Sequence, residues 1–312
     1  MTSQISATRR RERGVSLNVW HGALTTRSAV AFFVGTFALS WSIGALLVAF
    51  PDQVEALFGP MGYTNPAFIL LVYAPGFVGL YMVWRHYGRP GFGQLPPPLD
   101  AVADAWPLVG TVVAGHAGGV LCRCCRHRQR RRLSLRPWYG VLPALIPAFF
   151  ISPIEELGWR GVALPLLQRR FAPLWASLIV GVVAALWHTP AFLMSGTKQA
   201  AWSIGPFFLG VVAISVILTA MFNASRGSLL VAALFHAQMN GPAWPDAQPW
   251  DMFGFVLVAV AVVWWNRHSM LSRGTGATDV LWPGDDPNAT RVGDTSESAA
   301  SNARASARTT SS

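Results

Sequence analysis

The sequence predicts an all-α protein, a polytopic bundle of about seven to eight transmembrane helices. The composition is the first reason, because 52% of the 312 residues are hydrophobic and only 12% are charged, whereas about a quarter of the residues in a soluble domain are charged. The second reason is a series of apolar runs whose lengths approach the roughly 20 residues that cross a bilayer as a helix. We therefore predict a multi-pass integral membrane protein that is embedded in the lipid bilayer.

The apolar runs lie between two polar ends, which divides the chain into three parts. Residues 1–27 are polar and rich in arginine, which predicts a basic cytoplasmic segment by the positive-inside rule. Residues 28–267 carry the apolar runs and are predicted to form the transmembrane domain. Residues 268–312 are rich in Ser, Thr, Ala and Gly without hydrophobic periodicity, which predicts a disordered tail.

Within the transmembrane domain, each predicted helix is an apolar run bounded by prolines, glycines, arginines or tryptophans. The predicted runs are Ser28 to Phe50, Pro66 to Trp84, Trp138 to Ile154, Leu174 to Met194, Ile204 to Phe222, Leu229 to Asn240 and Trp250 to Trp265. Residues 101–122 are only moderately apolar and fit a weak span, a re-entrant segment or an interfacial helix. The basic run at 122–136 and Arg169-Arg170 cannot face the same side if one helix crosses between them. The sequence therefore leaves the topology of residues 101–170 open.

The formal net charge of +10 comes almost entirely from arginine, since Lys198 is the only lysine. The arginines lie in the ends and loops, where they can bind anionic lipid headgroups. Basic residues do not alternate with aromatic ones, as they would on a surface that binds nucleic acid. We therefore predict no nucleic-acid partner. A composition rich in arginine and alanine but poor in lysine is typical of a GC-rich prokaryote, so the expected location is a prokaryotic cell membrane. The sequence does not predict an oligomeric state.

Two adjacent carboxylates interrupt the apolar residues near the middle of the chain, at Glu155 and Glu156. A charge at bilayer depth costs roughly 2.5–3.5 kcal/mol on insertion scales, so such residues usually pair and face a cavity. On a helix, Glu156 and Arg160 lie one turn apart and can form an ion pair. Glu155 then points about 100° away, which leaves its carboxylate free for another task.

Two later apolar helices carry the polar side chains that can accompany Glu155. They are His188, near the end of its run, and His236 with Asn240, which lie four residues apart on one helical face. Two histidines and a glutamate from three helices suffice for a Zn²⁺ site with an open position, in which Glu155, His188 and His236 would be the ligands. The same residues suffice for a metal-free general-base site, so both alternatives stay open.

Peptide hydrolysis needs a nucleophilic water, a group that stabilises the oxyanion and a proton donor for the leaving amine. Glu155 can take the proton of the water, one histidine can share that water, and His236 with Asn240 can stabilise the oxyanion. A structural polar network and a transport pathway are the alternative interpretations of the same side chains. The sequence contains neither the His-Glu-x-x-His zinc motif nor Gly-x-Ser-x-Gly, which excludes the commonest metalloprotease and serine hydrolase signatures.

These residues resemble the CPBP intramembrane proteases, the family of the type II CAAX prenyl endopeptidases and the bacterial abortive-infection proteins. The resemblance covers about residues 138–240 and rests on three ordered motifs. They are Glu155-Glu156 followed by Gly158-Trp159-Arg160-Gly161, then Trp187-His188-Thr189-Pro190, then Arg226-Gly227-Ser228-Leu229 leading to Phe235-His236 and Asn240. The family usually has phenylalanine four residues before the second-motif histidine, where this sequence has Ala184.

The resemblance implies that Glu155 activates the water and that Glu156 and Arg160 support it. The predicted catalytic set is therefore Glu155, Glu156, His188, His236 and Asn240, with Arg160 in support. The implied function is an intramembrane endopeptidase acting on a peptide or membrane-protein substrate, and prokaryotic relatives are linked to bacteriocin processing or self-immunity. The alternative is a non-catalytic immunity or scaffold protein on the same fold.

Overall fold

The computed structural model describes residues 24–62, 64–88, 154–240 and 249–280, apart from the side chains of Gln238 and Asn240. The predictions for residues 101–153, including the run from Trp138, lie outside the described residues. So do most of the predicted N-terminal segment and the chain beyond residue 280.

All regular secondary structure within these ranges is helical. We number the helices α1 (Ser28–Ala49), α2 (Pro51–Phe58), α3 (Pro66–Val72), α4 (Ala74–Tyr87), α5 (154–168), α6 (Pro173–Trp187), α7 (Ile204–Ala224), α8 (Leu229–Asn240), α9 (Trp250–Trp265) and α10 (Arg267–Met270). Short 3₁₀ segments at Thr189–Phe192 and Gln199–Ala201 lie between α6 and α7.

Three of the described helical segments are long and apolar enough to cross a membrane. They are Ser28–Ala49, Pro173–Phe192 and Ile204–Ala224, and α3 with α4 forms a fourth if this pair, bent by 60°, is one span. The all-α membrane bundle predicted from the sequence is confirmed. The bend between α3 and α4 lies just before Pro75, where proline prevents a regular helical hydrogen bond.

Three apolar clusters hold the described helices together, and the smallest lies around Leu47, Leu71 and Met194. In the first, Trp159 of α5 lies edge-on between Phe32 of α1 and Trp187 of α6, with ring centroids 5.5 and 5.9 Å apart. The second lies where α7 packs against α8 and α9, around buried residues such as Ile217 and Phe255. Because α7 contacts both α6 and α9, it fixes the distance between the two halves of the bundle.

Helices α4 and α5 cross so closely that their contact admits only glycine. A methyl group on Gly158 would overlap the carbonyl oxygen of Pro75, and one on Gly76 would overlap the carbonyl oxygen of Ile154. Gly79 lies against the same crossing, where an added Cβ would be 3.1 Å from the Cα of Gly158. The backbone next to Glu155 is therefore held directly against α4.

The prediction that the chain is disordered from residue 268 onwards is wrong for residues 268–280. Residues 277 to 280 pack against the end of α5, and Val280 is fully buried. The Gln168 side chain donates to the Ala277 carbonyl at 2.7 Å, and the Arg169 guanidinium donates to the Thr278 carbonyl at 3.0 Å. Hydrogen bonds from side chains to the backbone hold this segment in place. Because the segment is irregular, its sequence has no hydrophobic period from which order could be predicted.

The crossing of α4 and α5 predicts an effect of Gly158→Ala on stability. The added methyl group meets backbone atoms that no side-chain rotation can move, so we expect a loss of about 1–3 kcal/mol in the free energy of unfolding. Reversible unfolding in mixed detergent micelles measures this loss. Gly254→Ala is the matched control, because nothing lies within 4 Å of a Cβ at Gly254 in α9. Equal stabilities of the two variants would contradict the close crossing.

Candidate active site

The glutamate doublet lies at the start of α5, among residues that the bundle buries almost completely. Glu155 is 4% exposed, Glu156 is 0% exposed and Arg160 is 4% exposed. Arg160 Nη1 donates to Glu156 Oε1 at 3.1 Å, which is the pair predicted from their spacing of four residues. Residues Trp159–Ala163 form a π-helical turn directly after the doublet, a feature that is frequent at functional sites.

A serine on α7 completes the environment of the arginine. Arg160 Nη2 donates to Ser215 Oγ at 3.3 Å, and the Ser215 hydroxyl donates in turn to the Ser177 carbonyl of α6 at 2.9 Å. Gly181 allows this approach, because α7 comes so near that an added Cβ would lie 2.9 Å from Ser215. Three helices are thus connected through one buried guanidinium.

His236 of α8 lies between the two carboxylates. Its Nδ1 is 2.7 Å from Glu156 Oε1, and its Nε2 is 3.9 Å from Glu155 Oε2. Since a carboxylate accepts hydrogen bonds, Nδ1 carries a proton and donates it to Glu156. Two neighbouring carboxylates also favour the imidazolium, in which Nε2 is a donor as well.

His188 approaches the same site from the end of α6. Its Nδ1 is 2.7 Å from the Ala184 carbonyl, which can only accept, so Nδ1 holds the proton of the neutral ring and Nε2 is left as an acceptor. The rings of Trp187 and Phe207 contact the imidazole edge-on, with centroids 4.6 and 5.1 Å away. The two histidines therefore differ in chemistry, because one is arranged as an acceptor and the other as a donor.

A cavity of about 350 Å³ connects these groups. Glu155, Glu156, Arg160, His188 and His236 all line it. Apolar side chains of α3, α7, α8 and α9 form much of the remaining wall, namely Phe68, Phe207, Val211, Ile214, Leu218, Met239 and Met252. An apolar wall with a few convergent polar groups is typical of a binding or catalytic site.

The structure brings together five of the six predicted site residues. Asn240 ends α8 four residues after His236, and its side chain lies outside the described part of the chain, so its role stays a prediction. Sequence reasoning missed Ser215, whose only signal was a hydroxyl in a mostly apolar helix that also carries Thr219 and Asn223. It also did not anticipate that Glu156 would join Arg160 and His236.

The three predicted zinc ligands are only partly grouped. Glu155 and His236 face each other, but no three His, Cys, Asp or Glu side chains in the described ranges form a set that could hold a metal ion. The carboxylates and imidazoles of the site can act as acid and base by themselves.

The fold and the site together define a helical membrane protein with a buried cluster of carboxylates, arginine and histidines. Residues 137–241 match the family "Type II CAAX prenyl endopeptidase Rce1-like". Over 105 residues the chain is 32% identical to the "CAAX prenyl protease 2" of Methanococcus maripaludis, an alignment that covers 32% of this chain and 39% of the relative. The predicted CPBP resemblance is confirmed for this segment, and the chain spans about two fifths of the relative's length.

The buried ion pair predicts a coupling between Glu156 and Arg160. Glu156→Gln leaves a buried guanidinium without a carboxylate, so we expect a loss of about 3–5 kcal/mol in the free energy of unfolding. Arg160→Met should cost less, because His236 still pairs with Glu156. The loss in the free energy of unfolding of the double variant should be smaller than the sum of the two single losses, by about 0.5–3 kcal/mol.

Reversible unfolding in mixed micelles measures this double-mutant cycle. Glu55→Gln is the control, since Glu55 is exposed on α2, and it should change the free energy of unfolding little. Strict additivity of the two losses would contradict a direct pair.

Proposed function

We propose that this protein is an intramembrane endopeptidase that hydrolyses a peptide bond in the cavity next to Glu155. The observation that carries the proposal is the separation of 3.9 Å between Glu155 Oε2 and His236 Nε2. An oxygen atom can lie about 2.8 Å from both, which is hydrogen-bonding distance. A buried carboxylate beside such a space can accept a proton from a water molecule, and the donor on His236 faces the same space.

The first step in this proposal is the attack of water on the peptide carbonyl. Glu155 accepts a proton from the water while the Nε2 acceptor of His188 orients its other hydrogen. The resulting hydroxide forms a bond with the carbonyl carbon, and the carbonyl π electrons move to the oxygen. His236, as a donor, and the predicted amide of Asn240 stabilise that oxyanion.

In the second step the tetrahedral intermediate collapses. The carbonyl reforms, the bond from carbon to nitrogen breaks, and the protonated Glu155 returns its proton to the leaving amine. Glu156 and Arg160 do not touch the reacting atoms in this scheme. Their contribution is to hold His236 in place, through the bonds of 2.7 and 3.1 Å on Glu156 Oε1.

The substrate in this proposal is a peptide or a membrane protein that reaches the cavity from the bilayer or its surface. The family match and the name of the relative support the class of endopeptidase. The composition supports a prokaryotic cell membrane, and within it bacteriocin processing or self-immunity is the proposed role.

This mechanism predicts that Glu155→Gln abolishes cleavage. The amide keeps the volume of the side chain but cannot accept the proton of the water, so we expect the rate to fall by about 10²- to 10⁴-fold. The measurement is a quantitative comparison of membrane peptides in cells that produce the wild-type protein or the variant. Peptides that accumulate only with the wild type identify the substrate.

Two features make this comparison decisive. Glu55→Gln removes an exposed carboxylate from α2. Cells that produce this variant should show the same peptide pattern as cells that produce the wild-type protein. If Glu155→Gln inserts at wild-type levels and gives that same pattern, the chain is a non-catalytic immunity or scaffold protein.

The proposed mechanism uses only carboxylate and imidazole groups, and it therefore predicts that the activity needs no bound metal. Purified protein should contain far less than one equivalent of zinc, and dialysis against a chelator should leave the cleavage rate within about twofold, because each step uses a carboxylate or an imidazole as the acid or base. Elemental analysis before and after dialysis checks this expectation. Stoichiometric zinc, with activity lost on removal and restored by its return, would assign Glu155, His188 and His236 as ligands instead.

A further inference from the structure

The cavity carries a cation that the proposed reaction does not use. Apart from the two histidines, two basic side chains belong to residues that line it, Arg160 and Lys198. Arg160 is buried and bonded to Glu156 and Ser215. Lys198 is exposed, and no hydrogen bond or ion pair of its ammonium group occurs within the described part of the chain. It is also the only lysine in a protein whose other basic residues are arginines and histidines.

The segment that carries Lys198 has a defined conformation. The Thr197 hydroxyl lies 2.6 Å from the Ala191 carbonyl and 2.9 Å from the Met194 carbonyl. The same oxygen accepts from the Ala200 amide at 3.3 Å. The turn around Lys198 is therefore fixed from both sides, and the ammonium group is presented from a held backbone.

The loop before α3 bounds the same opening. Gly62 lines the cavity. The neighbouring Met61 lies against Gly196, because a Cβ added at Gly196 would be 3.4 Å from the Cβ of Met61. Gly196 has φ +87°, in the left-handed region that favours glycine. Lys198 thus lies at the mouth of the cavity, and the carboxylates lie at its inner end.

This distribution of charge indicates how a substrate is oriented. At the inner end Arg160 and His236 already bond Glu156, so no free cation is left there for a substrate carboxylate. The Lys198 ammonium at the mouth, which has no partner among the described residues, attracts one. We propose that Lys198 binds a carboxylate of the peptide substrate while the scissile bond lies at Glu155. The carboxylate is either the free C-terminus or an Asp or Glu side chain, and the inference rests on the proposed peptidase function.

The test uses defined peptides with the full-length protein in lipid nanodiscs. A mixed library of synthetic ten-residue peptides is made with a free C-terminal carboxylate or a C-terminal amide, and with Asp and Glu or with Asn and Gln at the same positions. Mass spectrometry of the initial products gives the relative kcat/KM of each series. The wild type should prefer carboxylate peptides, and the series that shows the preference identifies whether the terminus or a side chain is bound.

The variants then assign the preference to one residue. Lys198→Ala should reduce it about fivefold through KM with kcat unchanged, the upper range for an exposed ion pair. Lys198→Arg should keep the preference, and Lys198→Glu should reverse it. Arg273→Ala is the matched control, because Arg273 is also exposed but is not among the residues that line the cavity.

The outcomes separate this inference from the proposed function. Cleavage with the same preference in the wild type and in Lys198→Ala overturns the inference and leaves the peptidase. If no library peptide is cleaved, binding of the fluorescently labelled peptides to the Glu155→Gln protein tests the role of Lys198, and the comparison of membrane peptides in cells tests the proposed function separately. Equal binding with and without the ammonium group, or no binding at all, overturns the inference in that case.

Discussion

The carboxylate of Glu156 is the group on which the arrangement of this site depends. It is completely buried, and its Oε1 accepts from Arg160 and from His236. A charge in such surroundings persists only with partners, since loss of one partner from a buried pair costs about 3–5 kcal/mol. Arg160 also donates to Ser215 of α7, and His236 belongs to α8, so separating α7 or α8 from α5 would remove a hydrogen bond from a buried charged group. The hydrogen bonds of these buried charged groups therefore join α5, α7 and α8 at the cavity.

The glycines explain how apolar helices come close enough for this network. Short polar side chains such as Ser215 reach a neighbouring helix only when the two backbones nearly touch, and small residues are what allow close approach in membranes. Gly181 provides that approach between α6 and α7, and Gly158 provides it between α5 and α4. At the second crossing the backbone of α5 cannot shift along α4 without a steric clash. The direction in which Glu155 points into the cavity is thus determined by backbone packing as well as by its hydrogen-bonding neighbours.

Local spacing was enough to predict part of this site and not the rest. The helical period predicts that Glu156 pairs with Arg160 and that Glu155 is left free, because both depend only on neighbouring turns. No period relates residues on separate helices, so the convergence of His188 and His236 was inferred from polar side chains in apolar helices and from the family resemblance. The bond from Arg160 to Ser215 joins residues 55 positions apart, and a single serine in an apolar helix gives no indication of its partner. The ordered chain near Ala277 was missed because irregular segments held by side chains such as Gln168 have no periodic pattern.

The charge balance of the cluster explains why a buried site can perform hydrolysis as proposed. In the proposed mechanism Glu155 and Glu156 are ionised and His236 is protonated, so that together with Arg160 the group as a whole is neutral. When Glu155 takes a proton from the water, its negative charge is lost as the oxyanion forms a few ångströms away, beside His236. The net charge of the cavity stays constant, and only its position changes. Because separating charge costs more in a low dielectric than relocating it between fixed partners, the buried cluster would stabilise the transition state of the proposed reaction without help from bulk water.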